Sequence, residues 1–358
     1  MVQYRPIVIA KRGELTAMNA LPVTAWAGLK PVLQVPPREW DHEVGAYKKS
    51  PEAHLLDLPK KFATATKSHP AFIDVSLLDN TSPVFGGRHP LAWIVDEAAT
   101  HGLALTPFVQ LTSTADTIAA AADVHARTGS GVGVRLPSSE WVSINARPLP
   151  ALLTACGVAP SEVDLFVDVA REFSLVVQRA VLTELSTQDG SYSFRSRSLG
   201  GAGFPDTAGL TKGLSEFSRD EWKLFREVYR GRLAAGTETP DFFDNVVNNP
   251  DAEVGLVNPK FLMISALFRY TTDEEWLVVK GGLYKGPAGK SLGSAAMMTP
   301  LTLLRAHPKF SILVRTKTDE WIEEVLAGTK NPGSPEVWRR WATQRHLTIV
   351  VRQLASPI

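Results

Sequence analysis

A single cysteine, Cys156, stands among 358 residues, so the chain can form no internal disulfide. A lone thiol in a chain of this size suits a reducing compartment. It lies in the apolar stretch Leu152–Val158, which predicts a buried core residue, not a reactive one. There is no excess of either charge: 38 Lys and Arg face 37 Asp and Glu, for a net charge of +1. That balance argues against a dedicated duplex-binding surface, but leaves room for a small basic pocket or a short single-strand site. No apolar run approaches the about 20 residues that span a bilayer. The opening Met1-Val-Gln-Tyr-Arg-Pro6 lacks the basic and apolar regions of a secretory signal. The expectation is a soluble, cytoplasmic chain with no membrane partner.

Several chemical signatures are also missing. The first strand-like run leads into Lys11-Arg-Gly-Glu14, with one glycine where a dinucleotide fold needs three. The eight histidines show neither His-x-x-x-His nor His-Glu-x-x-His, so no metal site is indicated and no cofactor is named by the sequence. Tyr284-Lys-Gly-Pro-Ala-Gly-Lys-Ser291 ends like a phosphate-binding loop, yet Tyr284 stands where its first glycine belongs and Pro287 lacks an N–H. A surface loop is the better reading.

What is present is a repeat of short apolar runs separated by helical stretches. The runs are Pro6–Ala10, Pro31–Val35, Ala71–Val75, Leu105–Leu111, Gly131–Leu136 and Asp164–Val169. Each is nearly continuous in apolar residues, as parallel strands covered on both faces are. Between them, Pro51–Lys67, Pro90–Gly102 and Thr114–Gly129 carry helical spacing, the last with Thr114 or Asp116 as cap and Gly129 as stop. Strand, helix, strand at this interval predicts an α/β fold, a (β/α)8 TIM-barrel-like domain over 1–358. Ser193–Leu199 and Phe261–Phe268 are the expected seventh and eighth strands. Residues 201–260 read as an insertion near the barrel mouth, containing an amphipathic helix over Ser218–Leu233 and a turn-rich loop over Gly236–Asn258. Leu267–Tyr270 and Trp276–Val279, with a turn at Thr271–Asp273, predict an added antiparallel hairpin, followed by C-terminal helices from Thr318 and Pro335.

In such a barrel the working residues sit at the C-terminal ends of strands. That rule selects Lys11, Asp74, Arg135 and Asp168 as candidate catalytic residues. Glu14, Gln110, Arg269 and His346 are candidate ligand contacts, with Arg195 and Arg197 as later possibilities. Asp74, Arg135 and Asp168 each interrupt an apolar run, where an unpaired charge is costly. They form either structural ion pairs or a site in which Lys11 and Arg135 hold a phosphate while Asp74 or Asp168 acts as general base or metal ligand. His346 reads as a tie between the last helix and the barrel, or as a catalytic group.

Tyr4-Arg-Pro-Ile-Val-Ile-Ala-Lys-Arg-Gly-Glu14 with Leu29–Pro36, Phe268-Arg-Tyr-Thr271 with Trp276-Leu-Val278, and Trp338-Arg-Arg-Trp…His346-Leu-Thr348 together resemble the beta protein family of bacteria and phages. Gln34 stands where that family often has a carboxylate, and Arg345 where it has a second histidine. The resemblance implies a setting, phage or mobile-element conflict (antiviral defence), more than a reaction. With the residues above it predicts a charged mouth acting on a phosphate-bearing ligand, a nucleotide or nucleic acid. Two other readings stand beside it. One is a non-enzymatic barrel that recognises a protein partner encoded nearby, docking through 201–260 with Phe242 and Phe243 exposed. The other is a metabolic barrel enzyme.

Overall fold

The computed structural model describes residues 2–79, 81–137, 148–248, 262–287 and 289–356. Its strands, in chain order, begin with β1 (Ile7–Ile9), β2 (Val32–Gln34), a small hairpin of β3 (Trp40–Asp41) and β4 (Ala46–Tyr47), and β5 (Ala71–Asp74). Then follow β6 (Leu105–Gln110), β7 (Val132–Pro137), β8 (Val163–Asp168), β9 (Ser196–Gly201), β10 (Gly213–Ser218), β11 (Asp241–Asp244), β12 (Ile264–Thr271) and β13 (Glu275–Lys285). The helices are α1 (Arg12–Asn19), α2 (Pro51–Leu55), α3 (Leu58–Thr66), α4 (Pro90–Thr100), α5 (Ala115–Thr128) and α6 (Pro148–Cys156). The remainder are α7 (Leu175–Ser191), α8 (Asp220–Ala234), α9 (Met298–Arg305), α10 (Lys317–Leu326) and α11 (Pro335–Ala355).

Eight strands lie side by side in the order β1-β2-β5-β6-β7-β8-β9-β11, and the pairs are parallel. A bridge between Tyr4 and Phe242 joins the two ends. There the Arg5 N–H donates to the Phe242 carbonyl at 2.8 Å, and the Phe242 N–H to the Gln3 carbonyl at 3.0 Å. The sheet is therefore closed into a (β/α)8 barrel. Local chemistry fixes the helix ends. Ser50 and Thr114 hydroxyls accept the N–H groups of Ala53 and Thr117 at the starts of α2 and α5. Gly129, at φ 64°, turns the chain out of α5.

The barrel interior is layered. Ile7, Val32, Phe72, Phe108, Phe166 and Phe243 form a separate apolar cluster inside it. The rings meet edge to face, at 4.9 Å between Phe108 and Phe166 and 5.4 Å between Phe72 and Phe166. Gly133 makes room for them, since a Cβ there would lie 2.6 Å from the Phe108 ring and 2.9 Å from that of Phe72. Below this layer, toward the strand N-termini, Arg5, Lys30 and Arg195 surround Asp164, and Arg5 also pairs with Asp241 at 2.8 Å. Two residues above it, on the same faces of the strands, come Gln34, Asp74, Gln110, Arg135 and Asp168. The phenyl layer thus separates a charged base from a polar mouth.

Beyond the barrel, β10, β13 and β12 form an antiparallel sheet. It shares a second core with α9, α10 and α11, built on Phe268, Tyr270, Trp321 and Trp338. The expected hairpin is this β12–β13 pair. The eighth barrel strand, however, is Asp241–Asp244 and not Phe261–Phe268. The later run alternates, burying Ala266, Phe268 and Tyr270 on one face, and it matches a long antiparallel partner better than a barrel wall. Residue 261 lies outside the described residues, as do 249–258 of the expected loop. Within 201–260, α8 is the helix that crosses from the seventh barrel strand to the eighth, so only part of that stretch is added to the barrel plan. Phe242 and Phe243 are both fully buried and present no exposed patch.

Candidate functional site

Asp74 and Asp168 end barrel strands in the same way. Each carboxylate accepts the backbone N–H two residues on, from Ser76 at 2.7 Å and from Ala170 at 2.8 Å. Such a bond lets the chain leave the strand at once, which is one physical reason for an aspartate there. The remaining oxygens face different partners. Asp168 takes the Arg135 guanidinium, with Nε at 2.7 Å and Nη2 at 2.6 Å. Asp74 takes the Gln34 amide Nε2 at 2.8 Å. Gln34 and Asp74 sit opposite one another in register, as do Gln110 and Arg135. Asp74 and Asp168 are almost wholly buried, whereas Gln110 and Arg135 are half-buried and reach toward the mouth. Among the described residues Asp74 has no cationic partner within ion-pair distance.

A second group lines one side of this mouth. Lys11 precedes α1, and Glu14 lies in that helix's first turn; Arg339 comes from α11 and Arg269 from β12. The helices are held together where Gly13 meets the Glu336 carbonyl, too close for a larger residue to be accommodated without displacement. Glu14 is 1% exposed, and its nearest cation is Arg339, with Nε 3.7 Å from Oε1. That oxygen accepts no hydrogen bond among the described residues. Burial pushes the Glu14 carboxyl above its usual range, although Arg339, Lys11 and Arg269 pull the other way. The Arg269 guanidinium lies 5.0 Å from the Phe204 ring, and its Nε has no hydrogen-bond acceptor among the described residues. Burial and the neighbouring Arg339 lower its pKa to about 10. Burial likewise lowers that of Lys11, again with Arg339 adding to the effect. Three cations therefore crowd Glu14, with Glu39 the other carboxylate that acts on Lys11. Just past β11, Asn245 is 5% exposed and its Nδ2 also has no partner among the described residues.

His346 is elsewhere. It is fully buried in α11, outside the barrel wall, with Nε2 2.8 Å from Asp244 Oδ2 and Nδ1 3.0 Å from the Thr271 hydroxyl. Asp244 accepts only, so Nε2 carries the proton and Nδ1 accepts from Thr271. The Tyr4 hydroxyl donates to the other Asp244 oxygen at 2.7 Å, and Trp276 stacks on the imidazole at 4.8 Å. Burial depresses the His346 pKa despite Asp244. This is a sealed junction between the barrel, the side sheet and the last helix, and His346 ties that helix to the barrel. Arg195 lies at the opposite end, on Asp164 at 2.6 Å, and Arg197 pairs with Glu238 outside the barrel. Neither reaches the mouth. Arg339 escaped sequence reasoning because it lies far along the chain from Glu14; its only signal is its place beside buried Trp338.

Other sequence features fall away from the mouth. The Gly289-Lys290-Ser291-Leu292-Gly293 spacing matches a nucleophile elbow, but Ser291 is in a surface turn and its hydroxyl bonds to Gly286. The Cys156 thiol is buried, with its pKa pushed up to about 11. No cluster of three His, Cys, Asp or Glu side chains suited to a metal ion occurs among the described residues. No described helix is long and apolar enough to cross a membrane.

Among solved structures, the chain is similar to 3-hexulose-6-phosphate synthase at 15% identity and a TM-score of 0.32, covering 68% of this chain and 88% of that one. It is also similar to triosephosphate isomerase from Bartonella henselae at 11% identity and a TM-score of 0.34, covering 68% and 92%. The barrel assignment rests on the strand order above and not on these likenesses. No curated protein matches. The family model described as Beta protein matches residues 4–352, so the chain belongs to the Beta protein family.

Proposed function

We propose that the barrel mouth binds a phosphate-bearing ligand, a nucleotide or a nucleic acid strand, through Lys11, Arg269 and Arg339. The observation that carries this reading is the excess of cations around Glu14, with Arg269 partly desolvated and no counter-ion within ion-pair distance among the described residues. Taking a cation out of water is expensive unless an anion joins it. A guanidinium fork and an ammonium group together suit a phosphate, which accepts several bonds at once. The start of α1 adds to this, because Lys11 supplies no side-chain cap and the first N–H groups favour negative charge. Below, the layer of Gln34, Asp74, Gln110, Arg135 and Asp168 offers polar contacts to the rest of the ligand. Should a proton be abstracted there, Asp74 is the better acceptor, since Arg135 already neutralises Asp168.

Calorimetric titration with inorganic pyrophosphate tests the reading. Arg269→Ala should weaken binding by about ten- to a hundredfold, the range for a bond to a charged group. Equal affinity in the wild type and in both Arg269→Ala and Lys11→Ala would overturn it. The setting we propose is phage or mobile-element conflict, where cells carrying the wild type should resist challenge and those carrying folded Lys11→Ala should not. If Lys11→Ala protects fully, the mouth has no part in such a role.

A further inference from the structure

Next to the phosphate-binding mouth stands a small hairpin that the barrel does not need. It follows β2 directly, and Trp40 lies only six positions after Gln34. Even fully extended, that distance is at most about 20 Å. Gln34 ends β2 at the mouth, and Arg38 at the hairpin's base bonds Asp79 in the segment that follows β5, which puts this base on the mouth side. Trp40 and Tyr47 face each other across the hairpin at 4.9 Å, edge to face, yet remain 41% and 38% exposed.

Both rings lie within a set of charged contacts. The Arg38 guanidinium lies 3.8 Å from the Tyr47 ring centre and is clamped by Asp79, with bonds of 3.1 and 2.5 Å. Lys48 pairs with Glu39 at 3.1 Å and closes the hairpin's base. Residues 38–49 carry three cations (Arg38, Lys48, Lys49) and three carboxylates (Glu39, Asp41, Glu43), so the hairpin has no net attraction for an anion. Two adjacent, partly exposed rings form a small apolar face on which a planar group can stack.

We propose that Trp40, buttressed by Tyr47, stacks the base of a nucleotide whose phosphate is held by the mouth cations. A neutral aromatic platform beside a cationic pocket matches a molecule with a neutral planar base and an anionic phosphate. This rests on the phosphate-binding reading and specifies its ligand. A free nucleotide and a nucleotide within a single strand share this chemistry.

The test compares adenosine 5′-monophosphate with ribose 5-phosphate, which carry the same phosphate and differ by the base. Stacking predicts that the wild type binds the nucleotide more tightly by about tenfold or more. Trp40→Ala should erase that difference while leaving ribose 5-phosphate affinity and the melting temperature unchanged, and Trp40→Phe should retain most of it. Two outcomes overturn the stacking role but spare the phosphate site: equal wild-type affinity for the two ligands, or equal weakening of both by Trp40→Ala. Failure of both ligands to bind overturns the two proposals together. A tetranucleotide single strand that binds more tightly than the mononucleotide, with the same loss in Trp40→Ala, supports the proposal and marks nucleic acid as the source. Equal affinity for strand and mononucleotide supports it with a free nucleotide as the source.

Discussion

Gly133→Ala puts the layered barrel interior to a test in which the sign of the effect decides. In a strand with ordinary backbone angles, replacing glycine by alanine should stabilise, because glycine loses more freedom on folding, by about 0.5–1 kcal/mol. Here the new methyl would sit 2.6 Å from Phe108 Cδ2 and 2.9 Å from Phe72 Cδ1. Carbon atoms prefer about 3.5–4.0 Å. Both rings would have to retreat by about 1 Å, against Phe166, which each already contacts edge to face. Close-packed interiors resist such shifts, and overpacking of this kind costs about 1–3 kcal/mol. Urea denaturation followed by circular dichroism should therefore show a lower midpoint with an unchanged slope. Phe108→Leu should destabilise the wild type but cost less, or nothing, in the Gly133→Ala background, a coupling of about 0.5–3 kcal/mol. If Gly133→Ala is as stable as wild type or more so, the proposed packing of the phenyl layer is wrong.

Three further outcomes follow from the same geometry. Asp319→Ala leaves Arg345 buried without its partner, now at 2.8 Å, and removes an acceptor of the Tyr270 hydroxyl. It should cost about 3–5 kcal/mol in denaturant unfolding. Asp164 ionises unusually easily: burial opposes its charge, but Arg195, Arg5, Lys30 and the Ser196 hydroxyl more than offset this and lower its pKa to about 2. Its folded-state pKa lies below the ordinary 3.8, so its stabilising contribution is complete above about pH 4 and is lost as the pH falls toward 2. Unfolding measured across that window should show a shallower loss in Asp164→Asn. His346→Ala removes the partner of Asp244 Oδ2 and should reduce stability by about 1–3 kcal/mol, yet pyrophosphate affinity of the folded variant should match wild type.

Much of the barrel could be read from the chain because its strands are short, apolar and covered on both faces. Phe72-Ile-Asp74 and Phe166-Val-Asp168 show why the site was partly legible as well: a ring in the core layer is followed, one pleat higher, by a carboxylate at the mouth. A charge that terminates an apolar run marks a strand's end, and here the backbone N–H two residues on explains it. Asp241-Phe-Phe-Asp244 concealed the eighth strand because four residues framed by two carboxylates carry too little pattern. Its closure depends on contacts with Tyr4, more than two hundred positions away. The same distance hid the grouping of Glu14, Arg269 and Arg339, which only the folding of α11 against α1 brings about. His346 carried two readings, a tie or a ligand contact, since a histidine in a family-like ending says nothing of which side of the barrel wall it occupies.

The most direct test of the central claim is diffraction from crystals soaked in pyrophosphate. The account predicts a phosphate seated at the open end of the barrel within hydrogen-bonding distance of Lys11 and Arg269. An empty mouth at saturating pyrophosphate, or an anion bound only elsewhere, would contradict it.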